Sequence, residues 1–177
     1  ENQGGRLFNI VYSKPCAVHI DPIEKKPLFH VLPGSKAFSI ATVGCNLRCK
    51  FCQNWQISQA KPHEVRHREL FPADAVSAAQ KSRSLSIAYT YSEATTYFEY
   101  MLATARLAQT QGLKNLWISN GFINREPLEN LFGILDAAQV DLKGFTEHFY
   151  GELCDGELAP VLESLKVLKQ QKIHLEI

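Results

Sequence analysis

The sequence has almost no excess charge, no long apolar run and no even complement of cysteines. With 19 Lys+Arg against 18 Asp+Glu the net charge is +1, which removes the electrostatic case for a nucleic-acid binder or a polybasic membrane binder. The longest apolar runs fall far short of the roughly 20 residues that a membrane-spanning helix needs. Internal repeats and low-complexity tracts are absent. No signal-peptide pattern stands at the amino end; the chain opens Glu1-Asn2-Gln3-Gly4-Gly5 without an initiator Met, which reads as an excerpt of a longer chain. Five cysteines, three of them within residues 45–52, are not the framework of a secreted disulfide protein. The expected location is the cytoplasm, where clustered thiols stay reduced and hold metals.

What is present is ordinary globular composition, 45% hydrophobic and 21% charged over 177 residues, enough for one domain with an arm. Residues 1–36 read as an N-terminal arm or small strand pair, with apolar pieces at 7–12 and 17–20 punctuated by Pro15, Asp21-Pro22 and Pro27. Residues 37–177 alternate between two periodicities. Strands are predicted at 37–43, 86–90, 115–119 and 138–142, with another beginning at 173. Helices are predicted from Pro72, over 95–111 up to Gly112, over 126–135 and over 161–171. Alternating strands and helices imply an α/β fold with a parallel sheet, either doubly wound or a (β/α) barrel. About four βα units and the start of a fifth strand cannot close a barrel. The expectation is therefore a barrel truncated at its C-terminal end, with Ile87, Tyr89, Ile118 and Val140 on a partly uncovered inner face.

In either architecture chemistry sits at the carboxyl ends of the strands. The unusual residues fall there: Cys45 after the first strand, Glu93 after the second, Asn120-Gly121 after the third, Asp141 and Lys143 at the end of the fourth. Four coincidences carry more weight than any one residue.

The segment Gly44-Cys45-Asn46-Leu47-Arg48-Cys49-Lys50-Phe51-Cys52-Gln53-Asn54 is a C-x3-C-x2-C pattern. Three thiolates on one tight loop can each ligate one iron of a [4Fe–4S] cube and leave the fourth iron open to a small molecule. No further cysteine follows nearby to close it. Phe51, just before the third cysteine, can pack on a planar ligand at that iron. The alternatives are a zinc site completed by His63 or His67, or three unligated cysteines beside polar neighbours. Cys16 and Cys154 read as small buried hydrophobes.

Cys45-x3-Cys49-Lys50-Phe51-Cys52 resembles the signature of radical S-adenosylmethionine (SAM) enzymes, and Gly44 through Asn54 resembles the pyruvate formate-lyase-activating-enzyme branch. Four further segments, at 18–30, 53–59, 86–93 and 140–145, resemble the radical SAM member of the AmmeMemoRadiSam system.

The resemblance implies a partial (β/α)6 barrel whose first βα loop holds the cluster. It implies that SAM chelates the open iron and is cleaved reductively to methionine and a 5'-deoxyadenosyl radical, which abstracts hydrogen from a substrate. Phe51, Glu93, Asn120, Asp141 and Lys143 would contact SAM. Glu93 falls where the superfamily's Gly-Gly-Glu motif ends, although this chain has Tyr89-Thr90-Tyr91-Ser92-Glu93-Ala94 there. Lys143 would pair with the SAM carboxylate. An electron donor such as flavodoxin or ferredoxin is implied, as are Memo-like system proteins and a substrate that is itself a protein, with no nucleic-acid or membrane partner. No side chain is assigned a catalytic role, because the cofactor carries the hard chemistry. The rival reading is an electron-transfer or structural metal module without SAM chemistry.

Overall fold

The computed structural model describes residues 2–177. Asn2–Gln3 (β1) and Arg6–Leu7 (β2) pair only with each other. The remaining strands form one sheet: Ala17–Pro22 (β3), Lys36–Ala41 (β4), Ser86–Tyr89 (β5), Lys114–Ser119 (β6), Ala137–Val140 (β7) and His174–Glu176 (β8), in that spatial order. β3 runs antiparallel to β4, and every other pairing is parallel. The β3–β4 pairing crosses the 36/37 boundary at which the sequence separates arm from barrel.

A doubly wound sheet reverses its strand order at a switch point. Here each parallel strand is added beside the previous one, so the sheet is a partial TIM-like barrel, with helices Pro72–Lys81 (α2), Phe98–Thr110 (α3), Arg125–Glu129 (α4) and Leu158–Gln170 (α6) in the crossovers. Two shorter helices, Trp55–Ser58 (α1) and Glu147–Phe149 (α5), lie in loops.

Strand periodicity divides the apolar residues into two cores. One side of the sheet supplies Ile40, Ile87, Tyr89, Trp117 and Val140, which pack with Val76, Met101, Ala105 and Val161 of the helices. Ile87, Tyr89 and Val140 are therefore not on the inner face as expected. They are at most 1% exposed beneath the helical layer, and of the four residues only Ile118 belongs to the other core. Each fully buried large side chain there contributes about 1.5–3 kcal/mol.

The inner face is built from small residues, Ala37, Ala88 and Ala137 with Leu116, and these leave room for Ile23 and Leu28. Both are fully buried. They belong to a segment that leaves β3 through a 3-10 turn at Ile23–Lys25. The segment reaches the far edge of the sheet, where the Glu176 carboxylate accepts the backbone N–H groups of Phe29 at 2.9 Å and His30 at 3.0 Å.

Two predicted helices differ from the observed ones. The long helix at 95–111 begins as a 3-10 turn, Ala94–Tyr97, because the Glu93 side chain accepts the Thr95 N–H and Thr96 Oγ1 bonds the Glu93 carbonyl at 2.7 Å. The helix at 126–135 stops at Glu129. Asn130 turns its side chain onto the Glu126 carbonyl at 3.2 Å, and tight turns then carry the chain to Leu135. Among the described residues no helix is long and apolar enough to cross a membrane.

Candidate active site

Gly44 adopts φ +106°, a conformation that L side chains rarely take. It lets the chain turn sharply out of β4 into the cysteine loop. The loop is then held from three sides. The Gly44 N–H bonds Ile57 O at 2.9 Å, and Gln59 Nε2 bonds Leu47 O at 3.0 Å. From below, a π-helical turn at Tyr150–Cys154 supplies carbonyls: Arg48 N–H donates to Cys154 O at 2.8 Å and Lys50 N–H to Leu153 O at 2.9 Å. Cys154 is buried in the core as a small hydrophobe, and its backbone carbonyl is one of these acceptors. Cys16 stands apart, its Sγ 3.6 Å from Ala41 O.

Cys45, Cys49 and Cys52 open on one cavity of about 590 Å³, together with Phe51, Glu93, Asn120, Asp141 and Lys143. All eight residues expected to hold the cluster or contact SAM line that one space, although they come from four separate βα connections. His63 and His67 do not line it.

Glu93 is 1% exposed and has four hydrogen bonds. Its carboxylate accepts from Thr95 N at 2.9 Å, Thr95 Oγ1 at 2.8 Å, Ser119 Oγ at 2.9 Å and Asn120 N at 2.8 Å. Burial raises its pKa against the pull of these donors. The Asn120 side chain, set by Glu93, donates to Asn46 Oδ1 at 2.9 Å and approaches Cys45 Sγ at 3.7 Å. The backbone of Leu47 also donates to Cys45 Sγ, at 3.4 Å. Lys143 Nζ sits 2.6 Å from Asp141 Oδ2; burial lowers its pKa, but the Asp141 charge outweighs that and the net shift is upward. The Phe51 ring is half exposed, 5.9 Å from the Phe149 ring.

The donor set fits an iron–sulfur cube. A cube asks for thiolates on three separate irons, and Cys45, Cys49 and Cys52 all open on the one cavity. Burial pushes the Cys45 thiol up to about 11, with the Glu93 charge adding to it, and Cys49 up to about 12, with Cys154 adding. Cations bound at the loop would supply the charge that makes thiolates favourable here, and two N–H groups already face Cys45 Sγ.

Sequence reasoning assigned no role to Asn46, Asn54, Tyr91 or Gln139. Asn54 Nδ2 donates at 2.8 Å to the carbonyl of Tyr91, a non-glycine residue at φ 66°. Gln139 had a legible signal, since it and Asp141 alternate on one face of a short apolar strand.

Residues 39–176 match the family described as the radical SAM superfamily. The uncharacterized protein MJ0808 of Methanocaldococcus jannaschii is 44% identical over 177 residues, all of this chain and 52% of that protein. MJ0674 of the same organism is 24% identical over 138 residues, 75% of this chain and 39% of that one. The chain spans about half the length, or less, of these curated relatives. Among solved structures, TYW1 with a lysine-pyruvate adduct bound superposes with a TM-score of 0.55 at 15% identity, covering 86% of this chain and 61% of that one. At that identity the likeness is one of fold alone.

Proposed function

This chain belongs to the radical SAM superfamily, and on that premise we propose that it is the SAM-cleaving domain of an activating-enzyme-like protein of the AmmeMemoRadiSam type. The superfamily's cofactors are a [4Fe–4S] cluster and SAM. One observation carries the reading: three cysteines of one loop share a cavity with polar groups from the ends of β5, β6 and β7.

In this proposal Cys45, Cys49 and Cys52 hold the cluster. The cluster these residues would hold would supply the one-electron reduction of SAM by which the superfamily abstracts hydrogen from a substrate. The side chains bind and orient. Lys143, held by Asp141, faces the SAM carboxylate. Asn120 presents its amide beside the cysteine loop. Glu93, with its four hydrogen bonds used on Thr95, Ser119 and Asn120, is a positioning residue that shapes the SAM floor. Phe51 covers the open side of the site. A flavodoxin- or ferredoxin-type donor, a protein substrate and Memo-like system proteins are the proposed partners, in the cytoplasm. Residues 1–36 are proposed as an arm on the barrel of 37–177.

The test is anaerobic reconstitution with iron and sulfide, followed by EPR with and without SAM. The expected result is about four irons per chain and a spectrum that changes on SAM addition. Stoichiometric zinc with no iron would favour the structural metal module instead.

A further inference from the structure

Lys25 and Tyr91 line one side of the cavity, and both reach a carboxylate behind it. Asp21, at the end of β3, is one carboxylate facing three donors: Lys26 Nζ at 2.6 Å, Lys25 Nζ at 3.0 Å and the Tyr91 hydroxyl. The Lys26 ammonium is 1% exposed and also lies 4.1 Å from the centre of the Tyr91 ring. Around Asp21, two ammonium groups against one carboxylate leave a local excess of one positive charge. Lys143, by contrast, is matched one-to-one by Asp141. The buried Lys26 needs the carboxylate, because an unpaired charge in that setting is costly. The surplus therefore rests on Lys25, whose side chain is 63% exposed and lines the cavity.

Gln139 of β7 lines the same cavity. It is 5% exposed; its Nε2 donates to Asp141 Oδ1 at 3.1 Å, and its Oε1 has no partner. Buried side-chain carbonyls without a partner are uncommon in folded proteins. The complement of this one is an N–H or O–H group.

We propose that Lys25 and Gln139 form a substrate subsite, and that the substrate is an acid, a carboxylate or a phosphate monoester, that also carries an N–H or O–H donor. The anion neutralises the surplus charge at Lys25, and the donor satisfies Gln139 Oε1. Calling the ligand a substrate rests on the radical SAM reading; the binding site itself does not.

The test is calorimetry on the anaerobically reconstituted protein without reductant, using three probes. N-acetylglycine carries a carboxylate and an amide N–H, glycerol 3-phosphate a phosphate and hydroxyls, and acetate an anion alone. The tighter of the first two identifies the acid. Lys25→Met should weaken all three, and Gln139→Leu should weaken the first two but not acetate, each by about tenfold. Lys25→Arg keeps the charge and should retain binding, which separates lost recognition from lost folding. Neither donor-bearing probe binding at millimolar concentration, or equal binding by parent and both variants, overturns the proposal. Iron content and SAM affinity, measured on the same samples, report separately on the radical SAM reading and should be unchanged in Lys25→Met.

Discussion

The carboxylate of Glu93 accepts the backbone N–H of Asn120 at 2.8 Å, so the loop after β5 sets the position of the loop after β6. Through Asn120 the same contact reaches Asn46 and the cysteine loop. A carboxylate is suited to this because all its partners donate. Glu93→Gln places an amide NH2 among four donors, leaving at least one unmatched in a buried setting. The expected cost is about 1–3 kcal/mol, read by denaturant unfolding, with SAM affinity falling as well. Unaltered stability would show that Glu93 is not the strut described.

Replacing Cys45, Cys49 or Cys52 by Ala should abolish the brown chromophore after reconstitution. Cys16→Ala and Cys154→Ala should keep it, because neither residue lines the cavity. Cys154→Ala should still lower stability by about 1 kcal/mol, the cost of a small void behind Cys49. Absorbance and iron content check both statements.

Lys143→Ala should weaken SAM binding by about 1.5–3 kcal/mol, the range for a hydrogen bond to a charged group, while cluster assembly survives. Asp141→Asn removes the charge that holds Lys143 in place and should cost less. Equal SAM affinity in parent and Lys143→Ala, by calorimetry, would take Lys143 out of the site.

Glu176 clasps the segment that crosses the inner face of the sheet. Burial works to raise its pKa, but the N–H groups of Phe29 and His30 and the His174 and His30 rings outweigh it and hold the value at about 2. The folded pKa lies below the unfolded one, near 4.3, so the stabilisation is present above that value and is lost as pH falls toward about 2. Asp21 adds to the same acid loss: burial opposes, yet Lys26, Tyr91 and Lys25 hold its pKa well below the usual range. Urea unfolding across this window should show falling stability, and Glu176→Gln should flatten part of the slope. A variant with the parent's pH profile would show that the clasp contributes nothing.

Gly121 turns the chain after β6 at φ +72°, where a Cβ would meet Val140 Cγ1 at 2.8 Å and Val161 Cγ1 at 3.2 Å. Gly121→Ala combines a disfavoured backbone conformation with overpacking and should cost about 1–3 kcal/mol. A clear drop in melting temperature is the expected result.

The alternation of strands and helices, the C-x3-C-x2-C spacing and the polar residues at four strand ends were all readable along the chain, because each depends on local periodicity or on neighbours a few residues apart. So was the shared face of Gln139 and Asp141, although its meaning was not. Tertiary structure decided the rest. The sequential strand order separates a barrel from a doubly wound sheet, and only inter-strand hydrogen bonds reveal it. Which face of each strand meets the helices depends on what packs there: Ile87, Tyr89 and Val140 lie under the helical layer because the crossovers cover that side, while alanines on the other side admit Ile23 and Leu28. The surplus charge at Lys25 exists only because the fold turns both Lys25 and Lys26 onto the Asp21 carboxylate, with the Tyr91 hydroxyl, 65 positions from Lys26, bonding the same group. No reading along the chain counts the charges that folding brings around a single group.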